Sequence, residues 1–448
     1  MIKIAAKKIY YNLPDKIKYG KKFNDTYDFL QQCRWWSQEQ HREYQLHRLK
    51  ELIKYCYANV PYYTELFTKN KIIPEDIKGI EDIKNIPYLT KAIIASNQHK
   101  LISKKFNVKK LKYMVTGGTT GIPMGFYADR KTDWPLECAH VANLWSCIGY
   151  DPGKRFKMAV LRGSIPRKGE FEYIGTSMIM SSFLLNNKNT DAYIKKLQDY
   201  QPDYIQAYPS SITLLAEHIE KYGIKIYLRK LKALICGSES LYDFQRELLE
   251  RVFKVRIYSF YGHTEHCCLA GECEKSSLYH LDSQYGYAEL INENGHEAGA
   301  EGERGEIVCT GFNNLAFPFI RYRTGDFALN TNERCSCGRN HKILKRIEGR
   351  EQDYFIDKWG SRVTLTCSDD ALWEVKDKIY IYQYVQQEPG KVILYIQPKA
   401  EFNIKDVEQV EKSFKRFYPT FEVEVSFKDE IERTRSGKFR YLVQKIEF

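Results

Sequence analysis

At roughly 150 residues per domain, a chain of 448 residues allows two or three domains and a large buried core. Hydrophobic residues at 43% and charged residues at 28% exclude a disordered chain, and no run approaches the roughly 18 to 20 apolar residues of a membrane span. The 69 Lys and Arg against 57 Asp and Glu leave a net charge of +12, but the lysines are scattered and pairs such as Lys104-Lys105 make no basic arm, so the charge reads as solubility and not as nucleic-acid binding.

The first twenty residues, MIKIAAKKIYYNLPDKIKYG, contain no uninterrupted apolar stretch, so no secretory signal is expected and a cytoplasmic location is. Residues 1–110 read as a mainly helical lead-in. Within it, 44–57 set Leu46, Leu49, Leu52, Ile53 and Cys56 at three- and four-residue spacing, an amphipathic helix that should end before Pro61. Strand-like runs at 113–116, 157–161, 204–208, 233–236 and 256–260 then alternate with helix-length segments such as 210–222 and 243–253. That alternation predicts an α/β fold with parallel strands. Residues 284–329 are glycine-rich with short strands and predict an antiparallel β subdomain. After Gly349 the pattern is α+β: strands at 379–387, 391–397 and 421–427, and a helix at 406–417. The expected organisation is an N-terminal α/β domain over 1–349 and a small α+β C-terminal domain over 350–448.

The strongest motif is Thr116-Gly117-Gly118-Thr119-Thr120-Gly121-Ile122-Pro123, directly after a strand. Free backbone N–H groups and hydroxyls on a flexible loop are what a polyphosphate needs, although a hydroxyl-rich tight turn would look the same. No Gly-Lys-Ser/Thr closes it, so it is not a Walker A loop. Tyr261-Gly262-His263-Thr264-Glu265 follows a strand and offers an aromatic face, a hydroxyl and a carboxylate suited to Mg²⁺ at a strand's C-terminal end. Tyr322-Arg323-Thr324-Gly325-Asp326 offers a carboxylate that can accept from both hydroxyls of a ribose. Glu348-Gly349-Arg350 lies at the expected domain boundary, and Arg433-Thr434-Arg435-Ser436-Gly437-Lys438 puts a lysine on a small-residue loop.

In this order and spacing the motifs resemble the adenylate-forming (acyl-CoA synthetase) superfamily from about residue 44 to the end. Within it the chain is similar to the phenylacetate–CoA ligase-like group, which includes proteins of capsular polysaccharide biosynthesis. Asn59-Val60-Pro61-Tyr62-Tyr63, Ile86-Pro87-Tyr88-Leu89-Thr90-Lys91 and Tyr208-Pro209-Ser210-Ser211 carry that finer likeness. The resemblance implies that a carboxylic acid reacts with ATP to give an acyl-adenylate and pyrophosphate, and that a nucleophile, usually coenzyme A, then takes the acyl group. It also implies roles. Loop 116–121 would hold the β- and γ-phosphates; Gly237, Ser238, Glu239 and Tyr261 would border adenine, with Gly262 beside them. Thr264 would contact the α-phosphate, Glu265 the Mg²⁺, and Asp326 the ribose with Arg350 nearby. Lys438 would reach the carboxylate and α-phosphate during adenylation. The acyl pocket would lie near residues 208–211, Gly237 and Tyr261, where aromatic neighbours suit an aryl acid.

In this family the C-terminal domain is mobile and rotates about a residue just after the Gly-Arg pair, usually Asp or Lys. Here Gln352 stands at that place with Asp353 next to it, a departure that leaves the hinge between the two. One alternative to coenzyme A transfer shares every motif: transfer to an amine or hydroxyl of a polysaccharide precursor. Another, a binding protein on an inactive ligase scaffold, predicts loss of Lys438, Asp326 or Glu265, and all three are present. Of twelve cysteines, Cys33, Cys56, Cys138, Cys147 and Cys236 stand alone and read as small buried hydrophobes. Cys335-Ser336-Cys337 with Cys273 and His280 gives the N/S ligand set of a closed zinc site, with His266, Cys267, Cys268 and His341 as competitors. The resemblance favours Cys273, His280, Cys335 and Cys337, in a structural role.

Overall fold

The structure is a computed structural model describing residues 9–446, apart from 116–123, 163–165, 167–168, 183, 186–188, 351–353, 361, 365–369 and 432–438. The predicted helix at 44–57 lies inside the helix Gln38–Asn59, which buries Leu49, Leu52, Ile53 and Cys56. Ser37 starts it: its side chain accepts from the Gln40 N–H while the Gln40 side chain accepts from the Ser37 N–H. Val60 ends it in an extended conformation, and Pro61 opens the next helix, Pro61–Lys69, at a position where a missing N–H is harmless.

The strands β1 (Lys112–Val115) and β2 (Gly125–Ala128) form an antiparallel pair. This corrects the expectation that 113–116 belongs to the parallel sheet: its described residues pair only with β2, and Tyr113 and Val115 are exposed. A strand inside a parallel sheet would be covered on both faces. Loop 116–123 is the connection between β1 and β2 and lies outside the described residues.

Among the described residues the main sheet has twelve strands. Its first half is β3 (Met158–Arg162), β4 (Phe171–Ile174), β5 (Ser177–Ser181), β6 (Tyr204–Ala207), β7 (Ala233–Cys236) and β8 (Arg256–Gly262). Here β5, β3, β6, β7 and β8 run parallel, and β4 closes the edge antiparallel to β5. β7 shows why this half is a parallel core. Leu234 and Cys236 pack with helix residues Leu215, Leu248 and Leu249 on one face, while Ala233 and Ile235 pack with Leu144 and Tyr258 on the other.

The second half is β9 (Leu269–Gly271), β10 (Tyr279–Leu281), β11 (Gly286–Ile291), β12 (Arg304–Gly311), β13 (Tyr322–Asn330) and β14 (Ile343–Arg350), all antiparallel. The antiparallel region expected at 284–329 is therefore present, as a continuation of the same sheet. The handover occurs within β8: Arg256 to Ser259 pair in parallel with β7, and Phe260 to Gly262 pair antiparallel with β9. A topological switch thus falls where the Tyr261 motif begins.

Beyond β14 come the short pair β15 (Tyr354–Ile356) and β16 (Arg362–Thr364), then β17 (Ile379–Glu388), β18 (Lys391–Pro398), the helix Ile404–Phe417, β19 (Glu422–Phe427) and β20 (Leu442–Gln444). The last four strands form a sheet in the order β19-β18-β17-β20, covered by Val410 and Phe414 of the helix. All the expected elements are present within two residues of their expected ends; β20, parallel to β17, was not expected. Its three residues are too few for a periodic signal. No helix among the described residues is long and apolar enough to cross a membrane.

Candidate functional site

A cavity of about 1120 Å³ opens at the C-terminal ends of the parallel strands. Tyr208, Ser238, Glu239, Tyr261, Gly262, Thr264, Glu265 and Asp326 line it, and Phe439, Arg440 and Tyr441 line it too, beside Glu239 and Tyr242. Open α/β sheets bind ligands at this kind of switch point. Gly237 sits just behind the lining; a Cβ there would stand 2.9 Å from the Phe260 ring, so the residue must be small for β7 and β8 to end side by side.

Asp326 is held from both directions. The Tyr261 hydroxyl donates to its Oδ2 at 2.8 Å. On its own strand, the Thr324 hydroxyl donates to the Ile307 carbonyl and accepts from the Asp326 N–H. Between them Gly325 takes φ +75°, a left-handed conformation that residues with a side chain rarely adopt, and gives its N–H to Glu306 at 2.9 Å. The turn aims a buried carboxylate at the cavity. Arg350 pairs with Asp326 across the β13–β14 ladder.

Glu265 is buried, with Tyr322 donating to Oε1 at 2.7 Å and His263 Nδ1 at 3.2 Å from Oε2. Burial pushes its carboxyl up, but the hydrogen bonds and charge of His263, together with the Tyr322 hydroxyl, outweigh this and hold it down at about 2. It is therefore an ionised group at the cavity wall, next to the Thr264 hydroxyl. Tyr322 was read in sequence only as the start of the Asp326 motif; its role toward Glu265 depends on β13 crossing beneath the Tyr261 loop.

The Glu239 carboxylate accepts from Ser210 and Phe439. Ser210 gives its N–H at 3.0 Å and its hydroxyl at 3.2 Å, and Phe439 gives its N–H at 3.1 Å. Ser210 is in the first turn of the helix Pro209–Lys221, whose free N–H groups favour an anion. Loop 116–121, Lys438, Gln352 and Asp353 lie outside the described residues, as does the Arg350 side chain.

Sequence reasoning missed one wall of the cavity. Trp134, Cys138, Val141 and Trp145, spaced four, three and four residues apart on the helix Arg130–Trp145, face it together with Tyr11 and Tyr19 from the N-terminal segment. That stripe has ordinary helical spacing, so in sequence it looks like any core-facing helix.

The cysteine cluster assembles away from this cavity. The ligand atoms of Cys273, His280, Cys335 and Cys337 all lie within 4.8 Å of one another, with Cys273 Sγ 3.5 Å from Cys335 Sγ and Cys337 Sγ 3.8 Å from His280 Nε2. The competitors are engaged elsewhere. His341 Nδ1 is 3.1 Å from the Leu281 carbonyl oxygen, His266 is 3.7 Å from Glu137, Cys268 is in the main apolar core, and Cys267 faces Cys309.

Residues 355–445 match the family model described as the CapK C-terminal domain. The chain is 27% identical over 361 residues to a phenylacetate-coenzyme A ligase of Thermus thermophilus, covering 79% of each chain. It is 26% identical over 444 residues to Protein CapK of Staphylococcus aureus, covering 96% of this chain and 94% of that one. Among solved structures it superimposes on a 2-hydroxyisobutyryl-CoA ligase in the postadenylation state with a TM-score of 0.74, at 18% identity over 92% of this chain and 91% of that chain. The switch-point cavity, the ordered motifs and these likenesses agree: the chain has the fold of the 2-hydroxyisobutyryl-CoA ligase and is similar along most of its length to phenylacetate-coenzyme A ligases and to Protein CapK.

Proposed function

We propose that the protein is an AMP-forming carboxylate ligase that joins a carboxylic acid, through its acyl-adenylate, to coenzyme A. The observation that carries this reading is the convergence of Tyr261, Thr264, Glu265 and Asp326 on one cavity, which the residues after Lys438 also line. In the first step a substrate carboxylate oxygen bonds to the α-phosphorus of ATP and the bond to the β-phosphate oxygen breaks, releasing pyrophosphate. In the second the thiolate of coenzyme A attacks the acyl carbonyl and AMP leaves.

Asp326, oriented by Tyr261, accepts from the ribose hydroxyls, which suits a group with several lone pairs. Gly237, Ser238, Glu239, Tyr261 and Gly262 border the base. Thr264 donates to the α-phosphate. Charge accumulates on the phosphoryl oxygens in the transition state, so the first step is governed by positioning and cationic stabilisation. Loop 116–121, Arg350 and Lys438 take their parts in this from their motifs. An ionised Glu265 beside the Thr264 hydroxyl is a hard-oxygen donor set that fits Mg²⁺, which keeps its remaining sites for water and phosphate. When bound, that ion would neutralise charge on the departing pyrophosphate.

Trp134, Cys138, Val141 and Trp145 form an apolar, partly aromatic wall that supports an aryl or other apolar acid, as the name of the Thermus relative also does. A second reading passes the acyl group to an amine or hydroxyl of a polysaccharide precursor. It is favoured by the CapK relative, whose likeness runs through the C-terminal domain. The division at 349/350 fits a C-terminal domain that moves between the steps, with Gln352 or Asp353 as pivot. We place the protein in the cytoplasm, where ATP and coenzyme A are supplied. Cys273, His280, Cys335 and Cys337 fit a structural Zn²⁺: three thiols and one imidazole converge, and four protein ligands leave no open position.

Pyrophosphate release is the test, screened over aryl, fatty, hydroxy and amino acids with and without coenzyme A. ATP- and acid-dependent release, with thioester formed when coenzyme A is present, is expected. Release that coenzyme A leaves unconverted, but a sugar nucleotide converts, would replace the first reading with the second. No release with any acid would leave the binding-protein alternative.

A further inference from the structure

We propose that His263, Cys267 and Cys309 form a second metal site, distinct from the four-residue cluster, which takes a thiophilic cation of the Cu(I) class in three-coordinate form. The ligand atoms of the three residues lie within 4.8 Å of one another. Cys267 Sγ is 2.9 Å from Cys309 Sγ, and His263 Nε2 is 3.7 Å from each sulfur. Cys309 is on β12 and Cys267 is in the turn after β8, two segments brought together by close backbone approach. A Cβ at Gly311 would stand 2.7 Å from the Cys267 Cβ, so only glycine lets the turn settle on the strand.

The imidazole is aimed. His263 Nδ1 lies 3.2 Å from the Glu265 carboxylate, which accepts its proton and turns Nε2 toward the two sulfurs. A carboxylate–histidine pair of this kind orients metal-bound imidazoles and makes them more basic. Two sulfurs and one nitrogen are soft donors that reject Mg²⁺ and Ca²⁺. Zinc normally takes four ligands, and the cluster around Cys273 supplies them; around Cys309 only three converge among the described residues. Cys267 and Cys309 are both buried, leaving little room for a water as fourth ligand. Two thiolates and one imidazole at a dry position suit Cu(I).

The route in is the large cavity, because His263 is part of its lining while the sulfurs lie behind it. On binding, each thiol gives its proton to solvent, the charged His263 gives up its Nε2 proton while Nδ1–H stays on Glu265, and no electron moves. The sulfurs must part from 2.9 Å to about 4 Å to share one ion at metal–sulfur distances of about 2.3 Å, an adjustment within side-chain reach. An ion bonded to both His263 and Cys267 spans Thr264 and Glu265, and so clamps the loop that carries the reaction.

The test is anaerobic titration of the full-length protein with Cu(I) held by the chromophoric chelator bicinchoninate. Wild type is compared with Cys267→Ser, Cys309→Ser and Cys273→Ser, each checked for fold by circular dichroism. Cys267→Ser and Cys309→Ser should each take one equivalent less than wild type, a loss that Cys273→Ser does not reproduce at the His263 site: combined with Cys267→Ser it should lower uptake further. If Cys309→Ser fails to fold, Cys267→Ser and His263→Asn decide the matter. Equal uptake by wild type, Cys267→Ser and His263→Asn would overturn the proposal. So would a Cys267–Cys309 disulfide that, once reduced, leaves a protein with no Cu(I) uptake dependent on these residues.

Discussion

The Glu239 carboxylate accepts the backbone N–H of Phe439 at 3.1 Å, across 200 residues of sequence. The same carboxylate caps the helix Pro209–Lys221 through Ser210, so one side chain ties the central sheet to the residue that follows Lys438. Glu239 is thereby a positioning residue for the C-terminal segment. Glu239→Ala should slow adenylation on the order of 10- to 100-fold, the scale of a modest misplacement of a reacting group. Thioester formation from pre-made acyl-adenylate should change less, and Glu239→Gln, which keeps an acceptor, should recover part of the loss. Equal slowing of both half-reactions would make Glu239 merely structural.

The proposed function makes Lys438 the cation of the adenylation transition state. Lys438→Ala should cost on the order of 100- to 1000-fold in the first half-reaction. Single-turnover transfer from acyl-adenylate to coenzyme A should be far less affected. Comparable damage to both steps would remove the assignment.

Asp326→Asn keeps the size of the side chain and removes its charge. A hydrogen bond to a charged group contributes about 1.5 to 3 kcal/mol, so the KM for ATP should rise roughly 10- to 100-fold. The KM for the carboxylic acid should stay within a few-fold of wild type. Steady-state kinetics varying each substrate in turn separates the two; a change confined to the acid would move Asp326 out of the ribose site.

Asp133 gives a pH dependence of known sign. Its Oδ2 is buried without a hydrogen-bond partner among the described residues, and burial, with the charge of Asp129 adding to it, pushes the carboxyl up to about 7 from an ordinary value of 3.8. Because the unfolded chain ionises first, stability falls as pH rises from about 4 towards 7 and then levels. Asp133→Asn removes that loss. It should raise Tm at pH 7.5 and leave it nearly unchanged at pH 4. An equal shift at both pH values would show that packing, not ionisation, is responsible.

Purified protein should carry close to one Zn²⁺ per chain at the cluster of Cys273, His280, Cys335 and Cys337. Cys337→Ser should lose the metal and lower Tm together, since structural zinc couples binding to folding. Elemental analysis finding no zinc in protein prepared without chelators would end this assignment.

Local pattern was enough for much of this molecule. The three- and four-residue spacing of Leu49, Leu52, Ile53 and Cys56 marked a helix, and the apolar run 233–236 marked a doubly covered strand. The order of the Tyr261, Asp326 and Lys438 motifs carried the resemblance to the adenylate-forming superfamily. Each of these signals is written over a few neighbouring residues, where backbone geometry fixes which side chains share a face. Partners are a different matter. Whether 113–116 joins the large sheet depends on which strand it meets, and among the described residues it pairs with β2. The resemblance already favoured Cys273, His280, Cys335 and Cys337, but that their ligand atoms meet depends on where β9, β10 and the loop before β14 converge. Tyr322 beneath Glu265, the helix stripe from Trp134 to Trp145 along the cavity, and the contact of Glu239 with Phe439 are likewise products of chain closure over tens to hundreds of residues. The sequence by itself determined the elements and the chemistry they carry; only the tertiary structure decided which groups meet, because that depends on strand order and register rather than on any residue's neighbours in the chain.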